Sequence, residues 1–578
     1  MIKPKKSVQD MLGYNVPLFE REWDIKIDSN ENLYGPSPKV IDAIKNILPD
    51  DIFLYPFYGE LSRKIAEYVG FELENIKVTN GADEAIASIF QAYLEVGDAV
   101  LTVKPSFAMP VIYSQIVGAQ LIEVPYDKKW EFPIDAFLSQ LDNKQIKIVH
   151  ITTPNNPTGE SISETNLEKI LKKSKDKLVL IDETYGNYCN SNYRKYVNEY
   201  SNVFIVKSFS KDFALAGLRL GYIISNKENI DVLKMVVSPF SVNSIAVKAG
   251  IAALGDSLYF ENIKTEIEKA KHILKMAFES IGATVYPSMA NFLCIDAKSK
   301  VDFLYSLLKR NNIIVKKFSS PEMEGLLRVA APTVEMAKVV SECIKIRPTL
   351  VFDMDGVLID AGTSYRFAIK KTFEYFANKE ISYNQIQEIK NMGGLNNDWD
   401  LTEYLLKQEN ITVSKQDIVN KFQSFYWNDG QGAINNEELL IDKVLLEKLA
   451  QNYNLAIFTG RPRQEALFAL EKNNITNLFF PIITMDDLPE DKQKPHSCGL
   501  DSVKSLIVSN CSYYYGDTID DIACAVSAGF IPVGVLPPQD KSDALSATLS
   551  KKGAIIVLNN INDIKKSLEI DYEIQLKD

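Results

Sequence analysis

The sequence has few cysteines, no basic stretch and no long apolar run, and each shortage excludes a class of protein. Its six cysteines are scattered without CxxC pairing or histidine partners, so neither a zinc site nor a disulfide framework is expected. The formal net charge is -12, and no run of Lys and Arg offsets it, so nucleic acid is not an expected partner.

Membrane and export signals are also missing. Apolar runs stop short of the roughly 18–20 residues that span a bilayer. The N-terminal lysines are followed by Ser7-Val8-Gln9-Asp10 rather than by an apolar stretch, which does not fit a signal peptide. We therefore expect no membrane partner and a cytoplasmic location.

The sequence is long, and strand-like and helix-like segments alternate along it. Its 578 residues are several times the usual ~100–150 of one domain, so two or more cores are expected. Short apolar runs typical of buried strands alternate with helical segments from about 76 to 225, and the rhythm resumes at 349. This pattern predicts two α/β domains. No Gly/Ser- or Pro-rich linker separates them at 344–348, so we expect close coupling.

The first chemical signal is a lysine after a predicted strand at 203–207. It lies in Ser208-Phe209-Ser210-Lys211, and Gly217-Leu218-Arg219 follows. A lysine here can form a Schiff base with an aldehyde. The Ser208 hydroxyl and the Arg219 fork suit a phosphate dianion.

Two further strand ends carry groups that suit a pyridine ring. Asp182 ends the strand at 178–181, and a carboxylate there can keep a pyridine nitrogen protonated. Asn156, in Pro154-Asn155-Asn156-Pro157-Thr158-Gly159, can bond a ring hydroxylate alongside Tyr185.

In their order and spacing these residues resemble the fold-type I pyridoxal 5'-phosphate (PLP) aminotransferases. The segments 30–38, 55–56 and 81–84 resemble the histidinol-phosphate aminotransferase branch. The resemblance implies that Lys211 carries the cofactor and moves the proton. It also implies that Phe107 stacks on the ring and that Tyr55 reaches the phosphate of a neighbouring subunit, hence a homodimer. The full set of cofactor contacts that it implies is Tyr55, Ala82, Asp83, Glu84, Phe107, Asn156, Asp182, Tyr185, Ser208, Lys211 and Arg219.

The substrate positions depart from that branch. Lys316 lies where it usually has an arginine, and Leu327-Arg328-Val329-Ala330-Ala331 replaces its usual Leu-Arg-Ile-Thr-Val-Gly. Tyr34, Lys316 and Arg328 are the predicted substrate contacts. Because lysine lacks the bidentate fork of arginine, a substrate smaller than the imidazole compound is favoured.

The second half begins with two aspartates after a buried strand, in Val351-Phe352-Asp353-Met354-Asp355-Gly356. One carboxylate can attack phosphorus while the other gives a proton to the leaving alcohol. A bare Asp-x-Asp-Gly also occurs in calcium loops and plain turns.

Three later motifs narrow this choice. Thr459-Gly460-Arg461-Pro462, Lys494-Pro495 and Gly516-Asp517-Thr518-Ile519-Asp520-Asp521 follow in order, and with Asp353 they resemble the haloacid dehalogenase superfamily. The resemblance implies that Asp353 is the nucleophile, Asp355 the general acid and base, and Thr459 and Lys494 the groups that neutralise the phosphoryl oxygens. It implies a Mg²⁺ site with the predicted ligands Asp353, Asp355 (through its carbonyl), Asp517 and Asp521.

A helical stretch at 361–449 corresponds to the cap of that superfamily, and its loop at 393–400 resembles a subgroup found fused to aminotransferases. Arg366 and Asn397 are predicted to read the amine or hydroxyl of a small substrate, with ordinary cap packing as the alternative.

The expected fold class is α/β: a fold-type I PLP-transferase followed by a Rossmann-like hydrolase core with a helical cap. The predicted aminotransferase domain is 1–346, with a large domain at 46–250 and a small α+β domain at 1–45 and 251–346. The predicted hydrolase domain is 347–578, with its core at 347–360 and 450–578.

The fusion predicts consecutive steps: amination of a keto-alcohol phosphate, with glutamate as the expected donor, and then release of the free amino alcohol. Dihydroxyacetone phosphate and imidazole acetol phosphate are the candidate substrates. Two alternatives stay open. The first domain could decarboxylate phosphoserine or phosphothreonine, and the second could be a non-catalytic phosphate-sensing module.

Overall fold

The computed structural model describes residues 2–9, 11, 22–127, 129–189, 191–390, 398–509 and 511–569. The chain divides between Lys345 and Ile346 into two compact units, each described by itself below. Among the described residues, no helix is both long and apolar enough to cross a membrane.

The first unit contains a seven-stranded and a five-stranded sheet. Its strands are β1 (Ile25–Ile27), β2 (Ile76–Thr79), β3 (Ala99–Lys104), β4 (Gln120–Pro125), β5 (Ile146–Thr152), β6 (Leu178–Asp182), β7 (Val203–Ser208), β8 (Gly221–Ile224), β9 (Thr284–Val285), β10 (Phe292–Asp296), β11 (Ile313–Lys317) and β12 (Leu326–Ala330).

The seven-stranded sheet has the order β2-β8-β7-β6-β5-β3-β4. Strands β3 to β7 pair in parallel, and β8 runs antiparallel to both β7 and β2. Apolar clusters cover both faces, which explains why β3, β5, β6 and β7 read as nearly continuous apolar runs. The carboxyl ends of the parallel strands share one edge, where Asp182 and Ser208 lie.

The five-stranded sheet has the order β1-β11-β12-β10-β9. Here β1, from the N-terminal segment, pairs in parallel with β11, and the remaining pairs are antiparallel. The N-terminal segment thus joins the sheet formed by residues 284–330.

Helices cover both sheets of the first unit. They are α1 (Lys6–Gln9), α2 (Pro38–Lys45), α3 (Asp50–Phe53), α4 (Gly59–Val69), α5 (Gly81–Tyr93), α6 (Met109–Val117), α7 (Ile134–Gln140), α8 (Glu164–Lys173), α9 (Lys195–Glu199), α10 (Lys227–Val236), α11 (Ser244–Leu254), α12 (Ser257–Ser280), α13 (Val301–Arg310) and α14 (Val334–Cys343).

The second unit is built on a six-stranded parallel sheet with the order β17-β16-β13-β18-β19-β20 and a separate antiparallel pair, β14 with β15. Its strands are β13 (Thr349–Phe352), β14 (Ile359–Asp360), β15 (Glu438–Leu439), β16 (Asn454–Phe458), β17 (Ile482–Ile483), β18 (Ser512–Gly516), β19 (Ile531–Val535) and β20 (Ile556–Leu558). The α/β class predicted from the sequence is confirmed for both units.

The cap helices lie between β14 and β15 and have an apolar cluster of their own. They are α15 (Tyr365–Ala377), α16 (Tyr383–Lys390), α17 (Asp398–Gln408) and α18 (Lys415–Tyr426); the core helices are α19 (Lys443–Asn452), α20 (Arg463–Lys472), α21 (Cys498–Leu506), α22 (Ile519–Ala528), α23 (Asp543–Lys551) and α24 (Lys565–Leu568). The predicted cap range of 361–449 includes most of α19, yet Leu446 and Leu449 of that helix pack in the core cluster. The strand pair β14–β15 therefore marks the base of the cap more closely than residue 449 does.

Candidate active sites

The first unit has a cavity of about 570 Å³ at the carboxyl edge of its large sheet. This volume is within the range of cofactor and substrate pockets. The predicted site residues that line it are Ala82, Asp83, Phe107, Asn156, Asp182, Tyr185, Ser208, Lys211, Arg219, Lys316 and Arg328.

Asp182 is a buried lining residue of this cavity. It ends β6 and is only 2% exposed. Burial raises the pKa of Asp182 to about 6, although hydrogen bonds from Thr184 oppose the shift. Among the described residues, both hydrogen bonds to its side chain, from Thr184 N (3.0 Å) and Thr184 Oγ1 (2.7 Å), end on Oδ1. Oδ2 can therefore accept from a ligand.

Lys211 follows β7 on the same edge. Its Nζ donates to the Ser29 carbonyl at 2.8 Å and lies 6.0 Å from the centre of the Tyr185 ring. Burial lowers the pKa of Lys211 to about 8, and the Arg328 guanidinium acts in the same direction. The amine is thus closer to losing its proton at neutral pH than an exposed lysine is.

Donors for an anion gather where α5 begins. Arg219 Nη2 lies 2.8 Å from Asp83 Oδ2, and Arg219 Nη1 is 3.4 Å from Ser210 Oγ. Gly81, at φ +75, opens α5, and a Cβ there would come within 3.0 Å of Arg219 Nη2. Glycine therefore permits the close approach of the arginine to the helix start, where backbone N–H groups face a ligand.

Asn156 and Tyr185 are already tied to the polar groups around them. Asn156 Oδ1 accepts from Arg328 Nη1 at 2.6 Å, and Arg328 Nη2 donates to the Asp28 carbonyl. Tyr185 accepts at its hydroxyl from Asn30 Nδ2 at 3.0 Å. The cross-strand register pairs Arg328 with Lys316, so two cations lie on adjacent strands that line the cavity.

Three predicted residues do not line the cavity. The Glu84 carboxylate accepts from Asn80 N (2.6 Å) and Ser241 Oγ (2.8 Å). The Tyr34 hydroxyl accepts from Val334 N at 3.1 Å. Tyr55 stacks on Phe240 with 4.5 Å between ring centroids and is 72% exposed.

Several lining residues were not predicted as site residues. Ser210 and the segment from Asp28 to Glu31 border the cavity. Ser210 lies two residues after Ser208 in the same motif, and this spacing could have indicated that it also borders the cavity. The N-terminal segment reaches the cavity only because β1 pairs with β11, and no local pattern shows this.

The residues present fit PLP. The cavity offers a buried carboxylate for a pyridinium, an amine for an aldehyde, and serine, arginine and helix-start donors for a phosphate. These groups converge from three neighbouring strands and one helix, as expected at the carboxyl edge of an α/β sheet.

The second unit has a cleft of about 170 Å³ between the core sheet and the cap helices. Asp353 follows β13 and Asp517 follows β18, so the parallel sheet brings them to one edge. The predicted residues that line the cleft are Asp353, Asp355, Arg366, Lys494, Asp517 and Asp521.

Lys494 bridges two of these carboxylates. Its Nζ lies 2.9 Å from Asp353 Oδ1 and 2.8 Å from Asp521 Oδ1. Burial raises the pKa of Asp353 above its usual range, and the Lys494 ammonium opposes the shift. Burial alone would lower the pKa of Lys494, but the two carboxylates hold it above its usual range, so the side chain stays cationic.

The acidic groups suit a hard cation such as Mg²⁺. Asp353, Asp517 and Asp521 each offer a ligand atom within 4.8 Å of the others. A Cβ at Gly356 (φ +73) would lie 2.3 Å from Asp517 Oδ2, so glycine makes room for that carboxylate. Asp521 is already occupied: Oδ1 accepts from Lys494 and Tyr514, and Oδ2 from the Thr518 N–H and hydroxyl.

Asp355 lies in the cleft as predicted, but Thr459 does not line it. The Asp355 side chain lines the cleft and is held from behind by Arg461. Thr459 is buried behind Gly460, which lines the cleft, and its hydroxyl accepts from Arg461 N at 3.3 Å. Asn397 lies outside the described residues. Next to it along the chain, Asp398 and Trp399 line the cap side.

Known proteins match the two units separately. The family described as aminotransferase class I and II matches residues 24–344, and the family described as haloacid dehalogenase-like hydrolase matches residues 350–535. A histidinol-phosphate aminotransferase of Thermoanaerobacter sp. (strain X514) is 33% identical over 314 residues, which are 54% of this chain and 89% of that protein. Histidinol-phosphate aminotransferase 1, chloroplastic, of Arabidopsis thaliana is 32% identical over 325 residues, 56% of this chain and 78% of that protein.

Solved structures agree on the fold of the first unit. A putative histidinol-phosphate aminotransferase from Erwinia carotovora atroseptica has a TM-score of 0.53 at 22% identity, covering 55% of this chain and 94% of that one. The Sinorhizobium meliloti histidinol-phosphate aminotransferase in complex with pyridoxal-5'-phosphate has a TM-score of 0.52 at 23% identity, covering 56% and 92%.

The predicted cofactors, PLP and Mg²⁺, are those of the two matched families. The chain belongs to the aminotransferase class I and II family and continues into a haloacid dehalogenase-like hydrolase region, so it is an enzyme with two active regions.

Proposed function

We propose that the first unit aminates a phosphorylated keto alcohol and that the second removes the phosphate from the amino-alcohol phosphate so formed. The observation that supports this proposal most directly is the net charge of the cleft in the second unit. Its described lining holds five carboxylates and two cations, a net charge of -3. A bound Mg²⁺ leaves -1, so a phosphate ester that also carries an ammonium is favoured over its keto analogue, which carries the phosphate charge alone.

In the first unit, Lys211 is proposed as the proton carrier. With its pKa lowered to about 8, Nζ can accept the proton from the substrate carbon and return one across the carbon–nitrogen bond. When bound, PLP supplies an electron sink for the charge left on that carbon. Asp182 would hold the ring nitrogen, and Asn156 and Tyr185 its hydroxyl. Ser208, Arg219 and the start of α5 would hold the phosphate.

Lys316 and Arg328 are proposed to bind the phosphate of the substrate. Both line the cavity on adjacent antiparallel strands, and an arginine beside a lysine suits a dianion. The names of the relatives at about 32–33% identity indicate an amino-alcohol phosphate as the amino compound. Dihydroxyacetone phosphate and imidazole acetol phosphate are the substrates to test first, with glutamate as donor.

In the second unit, an Asp353 oxygen would attack phosphorus while Asp355 gives its proton to the leaving alcohol oxygen. Water would then attack the aspartyl-phosphate, pass its proton to Asp355 and release inorganic phosphate. Lys494, whose Nζ lies 2.9 Å from Asp353 Oδ1, would neutralise the phosphoryl oxygens, and Asp353 and Asp517 are the proposed Mg²⁺ ligands. Since both oxygens of Asp521 are occupied, its proposed role is to hold Lys494.

A homodimer is proposed for the first unit. The segment 52–57 carries a run of exposed apolar side chains that includes Ile52, Phe53 and Phe57, and such a patch is typical of a protein interface. Tyr55 lies within it, which supports a contact with the phosphate site of a second copy.

The test uses the full chain with PLP and Mg²⁺. We expect 2-oxoglutarate from glutamate plus a keto-alcohol phosphate, and phosphate release from the matching amino-alcohol phosphate. Asp353→Asn should abolish only the second reaction. If phosphoserine releases carbon dioxide and no 2-oxoglutarate forms, the first unit is a decarboxylase instead. If Asp353→Asn leaves phosphate release unchanged, the phosphatase proposal is wrong.

A further inference from the structure

Arg461 is a buried cation beside the second active site. It is 1% exposed and does not line the cleft. Its Nε donates to Asp355 Oδ1 at 2.9 Å, and Nη2 donates to the same oxygen. Such a charge is tolerated in the interior only when it is paired and hydrogen-bonded.

Glu437 is the second partner of this guanidinium. Arg461 Nη1 lies 2.8 Å from Glu437 Oε2, and Nη2 lies 3.1 Å from Oε1, which is the bidentate fork-to-fork geometry of strong charged pairs. Glu437 is 3% exposed and immediately precedes β15. It therefore fixes the guanidinium from the side away from the cleft.

Both ends of the cap meet this pair. The Tyr365 ring, at the start of α15, lies 5.0 Å from the Arg461 guanidinium carbon. The Tyr426 hydroxyl, at the end of α18, donates to Glu437 Oε1 at 3.2 Å, and the Ser364 hydroxyl donates to the same oxygen at 2.6 Å. The contacts that join the cap to the core thus converge on the group that holds Asp355.

We propose that Arg461 and Glu437 form a positioning pair that orients Asp355 for proton transfer and ties this orientation to the base of the cap. The inference rests on the proposed phosphatase function. Among the described residues, both hydrogen bonds to the Asp355 side chain end on Oδ1, so Oδ2 is the oxygen that can serve the leaving group. Arg461 and Glu437 transfer no proton themselves.

The test compares two leaving groups in the full chain with Mg²⁺. An alkyl phosphate such as serinol phosphate releases an alkoxide and needs a proton from Asp355, whereas acetyl phosphate releases acetate and does not. Glu437→Gln keeps the side-chain shape but removes the charge that orients Arg461. General acid catalysis contributes about 10²–10⁴-fold. Because kcat/KM covers only the steps up to departure of the leaving group, and not the later hydrolysis that both substrates share, we expect a loss in kcat/KM of at least ~30-fold on the alkyl phosphate and less than ~3-fold on acetyl phosphate.

Three variants make the result decisive. Asp355→Asn should show the same preference for acetyl phosphate, and adding Glu437→Gln to it should cause no further selective loss, because residues that act as a unit are not additive. Tyr426→Phe removes one hydroxyl from the pair and should shift the ratio of the two rates in the same direction. If Glu437→Gln does not fold, Tyr426→Phe provides the test instead.

Equal losses on both substrates, or an unchanged ratio in the variants that fold, would overturn the proposal and leave the pair a purely structural role. Failure of the underlying phosphatase function looks different. In that case Asp353→Asn would keep the Mg²⁺-dependent phosphate release of the unaltered chain.

Discussion

The ion pair between Lys207 and Glu183 connects two strand ends at the PLP site, and breaking it should destabilise the first unit strongly. Lys207 Nζ lies 2.8 Å from Glu183 Oε2, with the side chains 7% and 4% exposed. The same Nζ donates to Asn187 Oδ1 at 2.9 Å. Glu183 follows Asp182 and Lys207 precedes Ser208, so the pair also supports two predicted cofactor contacts.

Lys207→Met would leave the Glu183 carboxylate buried without its cation. Removing one partner of a buried pair costs about 3–5 kcal/mol, a large part of the roughly 5–15 kcal/mol that stabilises a typical domain. We therefore expect a lower urea midpoint for the holoenzyme, followed by the absorbance of bound PLP, which reports on the first unit.

The matched control is Lys227→Met. Lys227 pairs with Asp231 on the surface of α10, where both side chains are exposed, so its loss should leave the midpoint nearly unchanged. Glu183→Gln/Lys207→Met should recover part of the loss because no charge stays unpaired. Equal midpoints for Lys207→Met and Lys227→Met would show that burial of the Lys207–Glu183 pair does not make its loss costly.

Three further predictions concern pH, substrate and the independence of the units. His150 is fully buried, and burial lowers its pKa from 6.5 to about 3. The unfolded chain therefore binds the proton first, and stability falls as the pH drops below 6.5. At pH 5 the loss from this group is about 2 kcal/mol, so the urea midpoint of His150→Gln should depend less on pH between 7 and 5; parallel curves would contradict this. Asp398 lines the cap side of the cleft, and its carboxylate can bind the ammonium of the amino-alcohol phosphate. Asp398→Asn should therefore raise KM about 10-fold for this substrate and leave that of its keto analogue unchanged. Equal shifts in KM would argue against recognition of the ammonium by the cap. Lys211→Ala should abolish 2-oxoglutarate formation and leave phosphate release intact, and a loss of both would show that the units do not act separately.

Sequence patterns predicted several of the proposed catalytic and cofactor-binding groups because those groups follow buried strands. Asp182, Ser208, Asp353 and Asp517 each end or directly follow a strand of a parallel region. Parallel strands present their carboxyl ends at one edge, so an apolar run followed by a polar residue was enough to bring these side chains together.

Two features of the structure could not be predicted from local patterns: the hydrogen-bond partner of Tyr34 and the end of the cap. Tyr34 lies within the motif at 30–38, yet its hydroxyl accepts from Val334 N, 300 residues away. The cap was predicted to end at 449 because helical periodicity continues there. Periodicity cannot show which core a helix packs against, and α19 joins the core cluster.

The α/β class, the two regions and the types of chemical group follow from the sequence alone, because they depend on short apolar periods and on residues within one motif. The surroundings of each group depend on the folded chain. Folding placed Lys494 between Asp353 and Asp521, occupied both oxygens of Asp521, and buried Arg461 against Glu437 and Asp355. Burial and charged neighbours from distant parts of the chain set the pKa and orientation of a side chain, and folding alone brings those neighbours together.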